Sequence, residues 1–317
     1  MLTEKANAIC LLEVLRDYSD AEHILPMREI IAKMQSLYGI KIDRRTVYGA
    51  VALLIELGYD ISIYEDNGVG YYLRSRELEQ SEVLLLTDAV YSFPFIPAKQ
   101  TEQLVQKLQK QLSVHQRKRY RYLTISRQDR KTDNRQVFWN IEQLDEAIAQ
   151  KKKVRLGYLH YGLDKKQHEA KTYTLSPYEM VYMNERYYLI CVPDHAPNTR
   201  LYRIDRMKDI QILDDPRSEA VARQEAQNAV YAYVGAPERI VMYCDRTILD
   251  DVIDRFGTDV QIRERDENTF TASFTAPPRG VKFWALQYLP YVEVVEPAWL
   301  REEIIESLGK NKYLQSY

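Results

Sequence analysis

The sequence predicts an α+β protein built from several domains. A chain of 317 residues is longer than one ordinary domain. Its first quarter shows three short helical patterns followed by two short strand patterns, and its last third shows the order β-α-β-β-α-β. Between them lies a tyrosine-rich β segment, Tyr173 to Met207. We therefore expect four segments, covering residues 1–75, 76–137, 138–213 and 214–317.

The first segment, residues 1–75, has the element order of a winged helix-turn-helix. An apolar stripe predicts the first helix, and Pro26 and Gly39 are placed to begin and end the second. Asp43 is the expected N-cap of a third helix. Asn67-Gly68, between two short alternating runs, predicts a β-hairpin that would form the wing. Three helices followed by a hairpin are typical of DNA-binding winged helices.

Two arginines occupy the first turn of the predicted third helix. Cations at this position oppose the helix dipole, which costs roughly a few tenths of a kcal/mol each. A DNA phosphate or a guanine edge would turn this cost into a gain. We therefore predict double-stranded DNA as a partner, and the alternative is a three-helix protein-interaction module. The residues predicted to contact DNA are Arg44, Arg45, Thr46, Tyr48 and, in the wing, Gly68.

The second segment, residues 76–137, is predicted to be a helical linker. Helical patterns at Glu82–Tyr91 and Thr101–Leu112 are separated by the proline-containing stretch Ser92–Pro97. The basic stretch Arg117–Lys131 could help to hold DNA, but such a run is more often a solvated surface, and we favour that interpretation. Helices between a DNA reader and a sensor are natural dimer surfaces, so we expect a homodimer.

The third segment, residues 138–213, combines tyrosines and arginines on short strands. A helix capped by Asn140 and a strand at Lys153–Tyr161 come before the tyrosine-rich segment. Phenol rings offer stacking faces and guanidinium groups fork onto phosphate, so this composition suits an anionic, base-bearing ligand. The alternative is that the tyrosines are half-buried strand residues and the arginines pair with carboxylates. The candidate carboxylates are Asp205, Asp209 and Glu179.

Turns are predicted within the tyrosine-rich segment at Ser176-Pro177, Asn184-Glu185 and Pro193–Asn198.

The last segment, residues 214–317, begins with a polar connection and continues as β-α-β-β-α-β, which is the ferredoxin-like order. Trp284 and Trp299 are predicted to be packing residues. Strands are predicted at 240–243, 260–263, 270–274 and 292–295, and helices at 248–256, 281–288 and 297–308.

Composition and motifs exclude several classes of protein. The formal net charge of -2 argues against uniform coating of nucleic acid, so any DNA contact must come from local patches. No apolar run reaches spanning length and the N-terminus lacks a signal-peptide core, so we expect a cytoplasmic protein. The cysteines, Cys10, Cys191 and Cys244, fit reduced core thiols. Without a metal-ligand pair, nucleophile elbow or phosphate loop, we expect no enzyme, cofactor or metal site.

Several motifs together resemble those of the WYL-domain transcriptional regulators. The run Arg186–Ile190 resembles the Trp-Tyr-Leu signature of that family, with Tyr187 in the Trp position. Ser176-Pro177 and Arg200–Met207 resemble two further motifs of the family. The N-terminal segment is similar as well, at Arg44–Val47 and Gly68–Leu73. The chain departs from the family at Tyr187 and at Leu25-Pro26, where a threonine commonly caps the second helix.

This resemblance implies a Sm-like small β barrel with a ligand pocket, followed by a WCX extension that contributes to dimerisation and to communication with the barrel. The ligand would be a nucleotide-like or single-stranded nucleic-acid effector, and the protein a ligand-responsive, DNA-binding transcriptional regulator. The alternative is a nucleic-acid-dependent scaffold without its own promoter. Pocket residues carried over by motif are Tyr158, Tyr187, Tyr188, Arg200, Arg203 and Arg206. The strand pattern adds His160 and Tyr178.

Overall fold

A computed structural model describes residues 6–119, 131–196, 198–218 and 236–312. The chain divides into two compact units, residues 1–133 and 134–317. Most of the predicted basic stretch, at 120–130, and most of the predicted polar connection, at 219–235, lie outside the described residues. No helix in the described part of the chain is long and apolar enough to cross a membrane.

The first unit begins with three helices and a small antiparallel sheet, in the predicted order. Their buried side chains form one core, to which the third helix contributes Val47, Ala50, Val51 and Leu54. The helices are α1 (Asn7–Tyr18), α2 (Met27–Tyr38) and α3 (Arg44–Glu56), and the strands are β1 (Ile61–Ser62) and β2 (Tyr72–Leu73).

The ends of α2 and α3 follow the predicted capping chemistry. Gly39 ends α2 in the left-handed region at φ 68°, which a glycine adopts without strain. The Asp43 side chain accepts a hydrogen bond of 2.7 Å from the Thr46 backbone N–H, as an N-cap does. Pro26 is the N-cap of α2 rather than its first residue, so that boundary moves by one position.

The connection between β1 and β2 differs from the predicted two-residue hairpin turn. It contains a helical turn, α4 (Tyr64–Asn67), followed by Gly68 at φ 70°. The Asn67 side chain explains the difference, because its amide donates to Ile63 O and Gly70 O while its carbonyl accepts from the Gly70 N–H. These bonds within the connection compete with the ladder bonds that a tight Asn-Gly turn would need.

Three further helices follow in the described residues of the first unit: α5 (Gln80–Ser92), α6 (Ala98–Gln109) and α7 (Val114–Arg119). They are joined to the three-helix segment through buried polar groups. The Arg76 guanidinium donates to the backbone oxygens of Arg16, Ser19 and Gln111. In α5 the apolar side chain of Val83 is buried, whereas that of Leu86 is 40% exposed.

The second unit begins with α8 (Val137–Ala149) packed on a five-stranded antiparallel sheet. The sheet order is β6-β5-β4-β3-β7, and α8 contributes Leu144 and Ala147 to its core. The strands are β3 (Lys152–Tyr161), β4 (Gln167–Met183), β5 (Arg186–Pro193), β6 (Arg200–Arg203) and β7 (Met207–Pro216).

This sheet is strongly curved. Its edge strands β6 and β7 are joined by a single 3-10 turn, Ile204–Arg206. The edges of a flat five-stranded sheet would lie about 19 Å apart, whereas four residues of extended chain span at most about 14 Å. The edges therefore approach one another at this turn, as a small barrel requires, and the Sm-like fold itself stays a prediction.

Two sequence predictions in this region are wrong. Asn140 lies inside α8, not at its cap, and its side chain is buried. Ser176-Pro177 is not a turn but part of β4, where the pairing with β5 shifts register between Pro177 and Glu179. A proline lacks the ladder N–H, so a bulge accommodates it within the strand. The turn predicted at Asn184-Glu185 is confirmed, with both residues at positive φ.

Residues 236–312 of the second unit have the predicted element order β-α-β-β-α-β, followed by a closing helix, with a four-stranded antiparallel sheet in the order β11-β8-β10-β9. Trp284 is buried in its core as predicted, but Trp299 is 46% exposed and donates to Glu238. The strands are β8 (Glu238–Asp245), β9 (Gln261–Glu264), β10 (Thr269–Ala276) and β11 (Val292–Glu296). The helices are α9 (Leu249–Phe256), α10 (Pro278–Gln287) and α11 (Ala298–Gly309).

Each predicted core thiol is buried and unpaired. Cys10 belongs to the core of the first three helices, Cys191 to that of the five-stranded sheet and Cys244 to that of the four-stranded sheet. Burial raises the pKa of the Cys244 thiol to about 12, so it is protonated and unreactive at neutral pH.

Candidate functional site

The first candidate site is the exposed start of α3 in the first unit. Arg44, Arg45 and Thr46 are exposed, and Tyr48 is 54% exposed, whereas Val47 between them is buried. In the described part of the chain, neither arginine forms an ion pair. Two cations therefore project from one helix tip, where they can contact phosphates or base edges, while the side chains of Thr46 and Tyr48 interact with Asp43 and Tyr71.

The predicted wing lies beside the start of α2. Backbone hydrogen bonds join Leu25 and Tyr71 in both directions, each at 2.9 Å. A Cβ on Gly70 would lie 2.1 Å from the Leu25 oxygen, so this approach of two backbones requires glycine. Gly68 is exposed at the tip of the connection, at the position predicted for a contact with DNA.

The second candidate site is the 3-10 turn Ile204–Arg206 of the second unit, which two buried asparagines hold. Asn134 Nδ2 donates to Asp205 O at 3.0 Å and to Met207 O at 2.6 Å. Asn140 Nδ2 donates to the same Met207 O at 2.7 Å and to Ile204 O at 3.3 Å. The backbone of the turn is therefore fixed from α8 and from the chain preceding it.

Arg203 forms an ion pair with Asp205 across this turn. Nε and Nη2 of the arginine lie 3.0 and 2.6 Å from the two carboxylate oxygens, and the Asp205 side chain is only 2% exposed. The sequence left open which of Arg203 and Arg206 pairs with Asp205, and the structure assigns the pair to Arg203. Its side chain is thereby fixed in the fold, which limits its use as a ligand contact.

Arg206 is in a different situation. Its Nε atom is buried, and no hydrogen-bond acceptor for it lies among the described residues. The guanidinium carbon lies 5.7 Å from the centroid of the Tyr161 ring, and Tyr161 is 51% exposed. A guanidinium group that can still donate hydrogen bonds is able to bind an anion, and the exposed ring beside it is able to stack on a base.

Tyr158 links this turn to an aromatic cluster on the inner face of the sheet. Its hydroxyl accepts a hydrogen bond of 3.1 Å from the Arg203 backbone N–H. Burial raises the pKa of Tyr158, although the charges of Arg206 and Arg203 oppose that rise. The cluster rings lie edge-to-face, 5.0 to 6.2 Å from the Tyr158 ring, and belong to His160, Tyr173 and Tyr202.

Tyr188 lies on the opposite, outer face of the sheet. It is paired with Arg203 across β5 and β6, and residues directly opposite each other share a face. Arg186 is two residues away on the same face, and burial together with the charge of Arg203 lowers the pKa of its guanidinium. The outer face therefore presents a tyrosine between two guanidinium groups.

The remaining predicted effector residues are spread over other places. Tyr187 packs against the core of the sheet, and its ring is 5.3 Å from that of Tyr182. Tyr178 donates to Ser218 O and stacks under Arg217, at the end of β7. Arg200 is exposed, but strand alternation places it on the face opposite to Arg203. The structure thus places Tyr158, His160, Tyr187 and Arg200 on the inner face of the sheet, with Arg206 in the adjoining turn. Tyr188 and Arg203 lie on the outer face, and Tyr178 lies at the end of β7.

Sequence reasoning missed the residues that build the turn. Asn134 carries no signal, but Asn140 does, because it occupies a buried stripe with Val137, Leu144 and Ala147 in α8. A polar residue on an apolar helical stripe indicates a buried partner, here two carbonyl oxygens. In the described residues no group of three or more histidine, cysteine or acidic side chains is arranged to hold a metal ion.

Family models match both halves of the second unit. Residues 140–212 match the WYL domain, and residues 236–310 match the WCX domain. The chain carries a WYL domain and a WCX domain. The WYL domain comprises most of α8 and the five-stranded sheet with its 3-10 turn, and the WCX domain comprises the four-stranded sheet with its helices. No curated protein matches the chain.

Two solved structures are similar to this chain at low sequence identity. One is proteasome accessory factor B/C (PafBC) of Arthrobacter aurescens, with 14% identity and a TM-score of 0.27 over 98% of this chain and 49% of that chain. The other is described as a CRISPR Cas-related protein, with 14% identity and a TM-score of 0.33 over 76% of this chain and 75% of that one. The chain spans about half the length of the PafBC chain.

Proposed function

We propose that the protein is a DNA-binding transcriptional regulator in which the WYL domain senses an anionic, nucleotide-like effector. The observation that carries the DNA part is the exposed, cationic first turn of α3, opposite a helix face that is fully engaged in the core. The three helices and the β1–β2 pair would form a winged helix, with α3 in the major groove and Gly68 at the tip of the wing.

The effector would bind where Arg206 and Tyr161 lie side by side at the 3-10 turn. Arg206 supplies a cation whose Nε is not used by the described protein atoms, and Tyr161 supplies an exposed ring. A phosphate on the guanidinium and a base on the ring would satisfy both groups. Single-stranded nucleic acid and mononucleotides share this chemistry, so the test must separate them.

DNA binding is tested by selecting duplexes from a random library with the full-length protein and measuring the affinity for the selected duplex. We expect the double variant Arg44→Ala, Arg45→Ala to lose most of this affinity and to show a shallower salt dependence, because two cations near phosphates are removed. Arg239→Ala, at an exposed site of the WCX domain, is the matched control. A wild-type protein that enriches no sequence would favour the scaffold hypothesis and exclude the proposed regulator.

Effector binding is tested by calorimetric titration with mononucleotides and with short single-stranded oligonucleotides. We expect Arg206→Gln to remove binding of whichever class binds the wild type. Arg155→Gln, at an exposed position of β3, should leave it unchanged. Equal affinities of Arg206→Gln and wild type would exclude this site.

A further inference from the structure

The outer side of α3 carries a line of small residues that begins at an arginine. Arg45, Gly49, Ala52 and Glu56 follow one another at helical spacing, and all four are exposed. They lie opposite the buried face formed by Val47, Ala50, Val51 and Leu54. We call Arg45, Gly49 and Ala52 the contact line of α3.

Nothing in the described structure requires a glycine at position 49. It lies in the interior of a helix, it does not have a positive φ, and a Cβ built on it would meet no atom within 4 Å. Glycine in a helix interior is destabilising relative to alanine, because it loses more backbone freedom on folding. Gly70, in contrast, has an evident structural reason in the backbone of Leu25.

A missing side chain at this point changes how deeply the helix can enter a groove. A helix with its side chains is about 10–12 Å across, and the major groove of B-DNA is about 12 Å wide. The fit leaves little spare room, so removing the side chains on one line lets the backbone approach the base edges along that line. Arg45, at the start of the line, can then reach N7 and O6 of a guanine.

Charge supports the direction in which the helix would enter. The exposed cations of α3 are at its first turn, whereas Glu56 follows the contact line at the other end of the helix. A carboxylate near a phosphate is repelled, so the N-terminal half of α3 is the part suited to the groove. Ala52, without a long side chain, can meet the methyl group of a thymine.

Resting on the proposed DNA binding, we propose that Gly49 determines specificity: it lets the backbone of α3 approach the base edges closely enough for Arg45 to contact a guanine. The partner is a duplex with a guanine in the major groove at the position that Arg45 reaches. Ala52 extends the same close approach by one turn.

The test compares Gly49→Ala and Gly49→Leu with wild type on the duplex that wild type selects, and on that duplex with each guanine replaced in turn. We expect the melting temperature of Gly49→Ala to equal or exceed that of wild type. Its affinity should fall, and that of Gly49→Leu should fall roughly ten- to hundredfold with loss of the guanine preference. Gly309→Leu, at a glycine in α11 whose Cβ would also meet no atom within 4 Å, should bind as wild type does.

Wild-type affinity and guanine preference in Gly49→Leu would overturn the inference. The proposed DNA binding would still stand in that case if the Arg44, Arg45 double variant lost affinity. If wild type selected no duplex at all, both would fail. Should Gly49→Leu unfold, Gly49→Ala alone decides, because an unchanged affinity and preference in that stable variant overturns the inference equally.

Discussion

Arg203 and Asp205 form a bidentate ion pair that spans one residue and buries the carboxylate at 2% exposure. This pair divides the arginines of the motif Arg200–Met207 by role. Arg203 holds the 3-10 turn together, whereas Arg206 keeps a buried Nε for which the described residues provide no acceptor. A double substitution of Arg203 and Arg206 would therefore mix a loss of fold with a loss of ligand binding.

Arg203→Ala is expected to destabilise the WYL domain by about 3–5 kcal/mol, because it leaves the Asp205 carboxylate buried without its partner. Arg206→Ala, three residues away, should cost about 1 kcal/mol or less, since Arg206 is half-buried and its side chain contacts the exposed ring of Tyr161 rather than a buried carboxylate. Urea denaturation of both variants provides the measurement. Equal losses of unfolding free energy would contradict the division of roles between the two arginines.

Asn140→Leu is expected to lower the free energy of unfolding by about 1 kcal/mol, because two buried hydrogen bonds are lost, although Ile204 O keeps the Met207 N–H and Met207 O keeps Asn134 as a donor. The leucine is close in size, so the effect reports the hydrogen bonds rather than a cavity. Gln143→Leu, at a half-buried position of the same helix, is the control and should change stability little. If Asn140→Leu left the free energy of unfolding unchanged, the turn would not depend on the hydrogen bonds of Asn140.

Most helices and strands could be predicted from the sequence because their capping and turn residues form the same hydrogen bonds in the fold that they favour locally. Asp43 caps α3, Gly39 ends α2 and Asn184-Glu185 makes the β4–β5 turn, all through bonds within a few residues. The failures occur where distant groups decide. Asn140 has the chemistry of a helix cap, but its side-chain amide instead donates to the carbonyl oxygens of Ile204 and Met207, more than sixty residues away.

The candidate effector site was predicted less well than the fold, for a similar reason. Composition gathered tyrosines and arginines correctly into one sheet, but strand alternation then assigns them to two faces. Tyr188 and Arg203 share the outer face, whereas Tyr158 and Tyr202 share the inner one. Spacing alone could not show that Asp205 would pair with Arg203 rather than Arg206, since the arginines lie on either side of it.

Gly70→Ala is expected to destabilise the first unit more than Gly68→Asn. The alanine Cβ would lie 2.1 Å from Leu25 O, and because that atom belongs to the backbone, the two segments must separate. Asparagine at position 68 is tolerated better, since it adopts the left-handed region more readily than other residues and its Cβ meets no atom within 4 Å. Thermal unfolding of both variants checks the order, and a lower melting temperature for Gly68→Asn would contradict it.

Acid is expected to weaken the junction between the α1–α2 connection and α7, where the rings of His23 and His115 stack with centroids 3.7 Å apart. A cavity of about 130 Å³ adjoins them. Burial, and then the charge of His23, lowers the pKa of His115, with Lys118 and Lys33 adding to the effect and Asp20 opposing it. Burial opposes the shift at Asp20, but hydrogen bonds from Ser113 and His23 hold its pKa below the usual range.

The direction follows from the protons that each state binds. The unfolded chain protonates His115 at a higher pH than the folded chain does, so the stabilisation is fully present above pH about 6.5 and is lost as the pH falls through the lower, folded pKa. The lowered pKa of Asp20 also makes stability fall with falling pH, but this effect is confined to pH values below about 4. Between pH 7.5 and 5.5, stability should therefore fall because of His115.

The variant His115→Phe keeps a flat ring against His23 but cannot take up a proton, so its stability should depend less on pH over this range. Urea denaturation at pH 7.5 and 5.5 measures the difference, with His195→Gln, at an exposed position of the WYL domain, as the control that should keep the wild-type dependence. If His115→Phe loses as much stability on acidification as wild type does, another group is responsible.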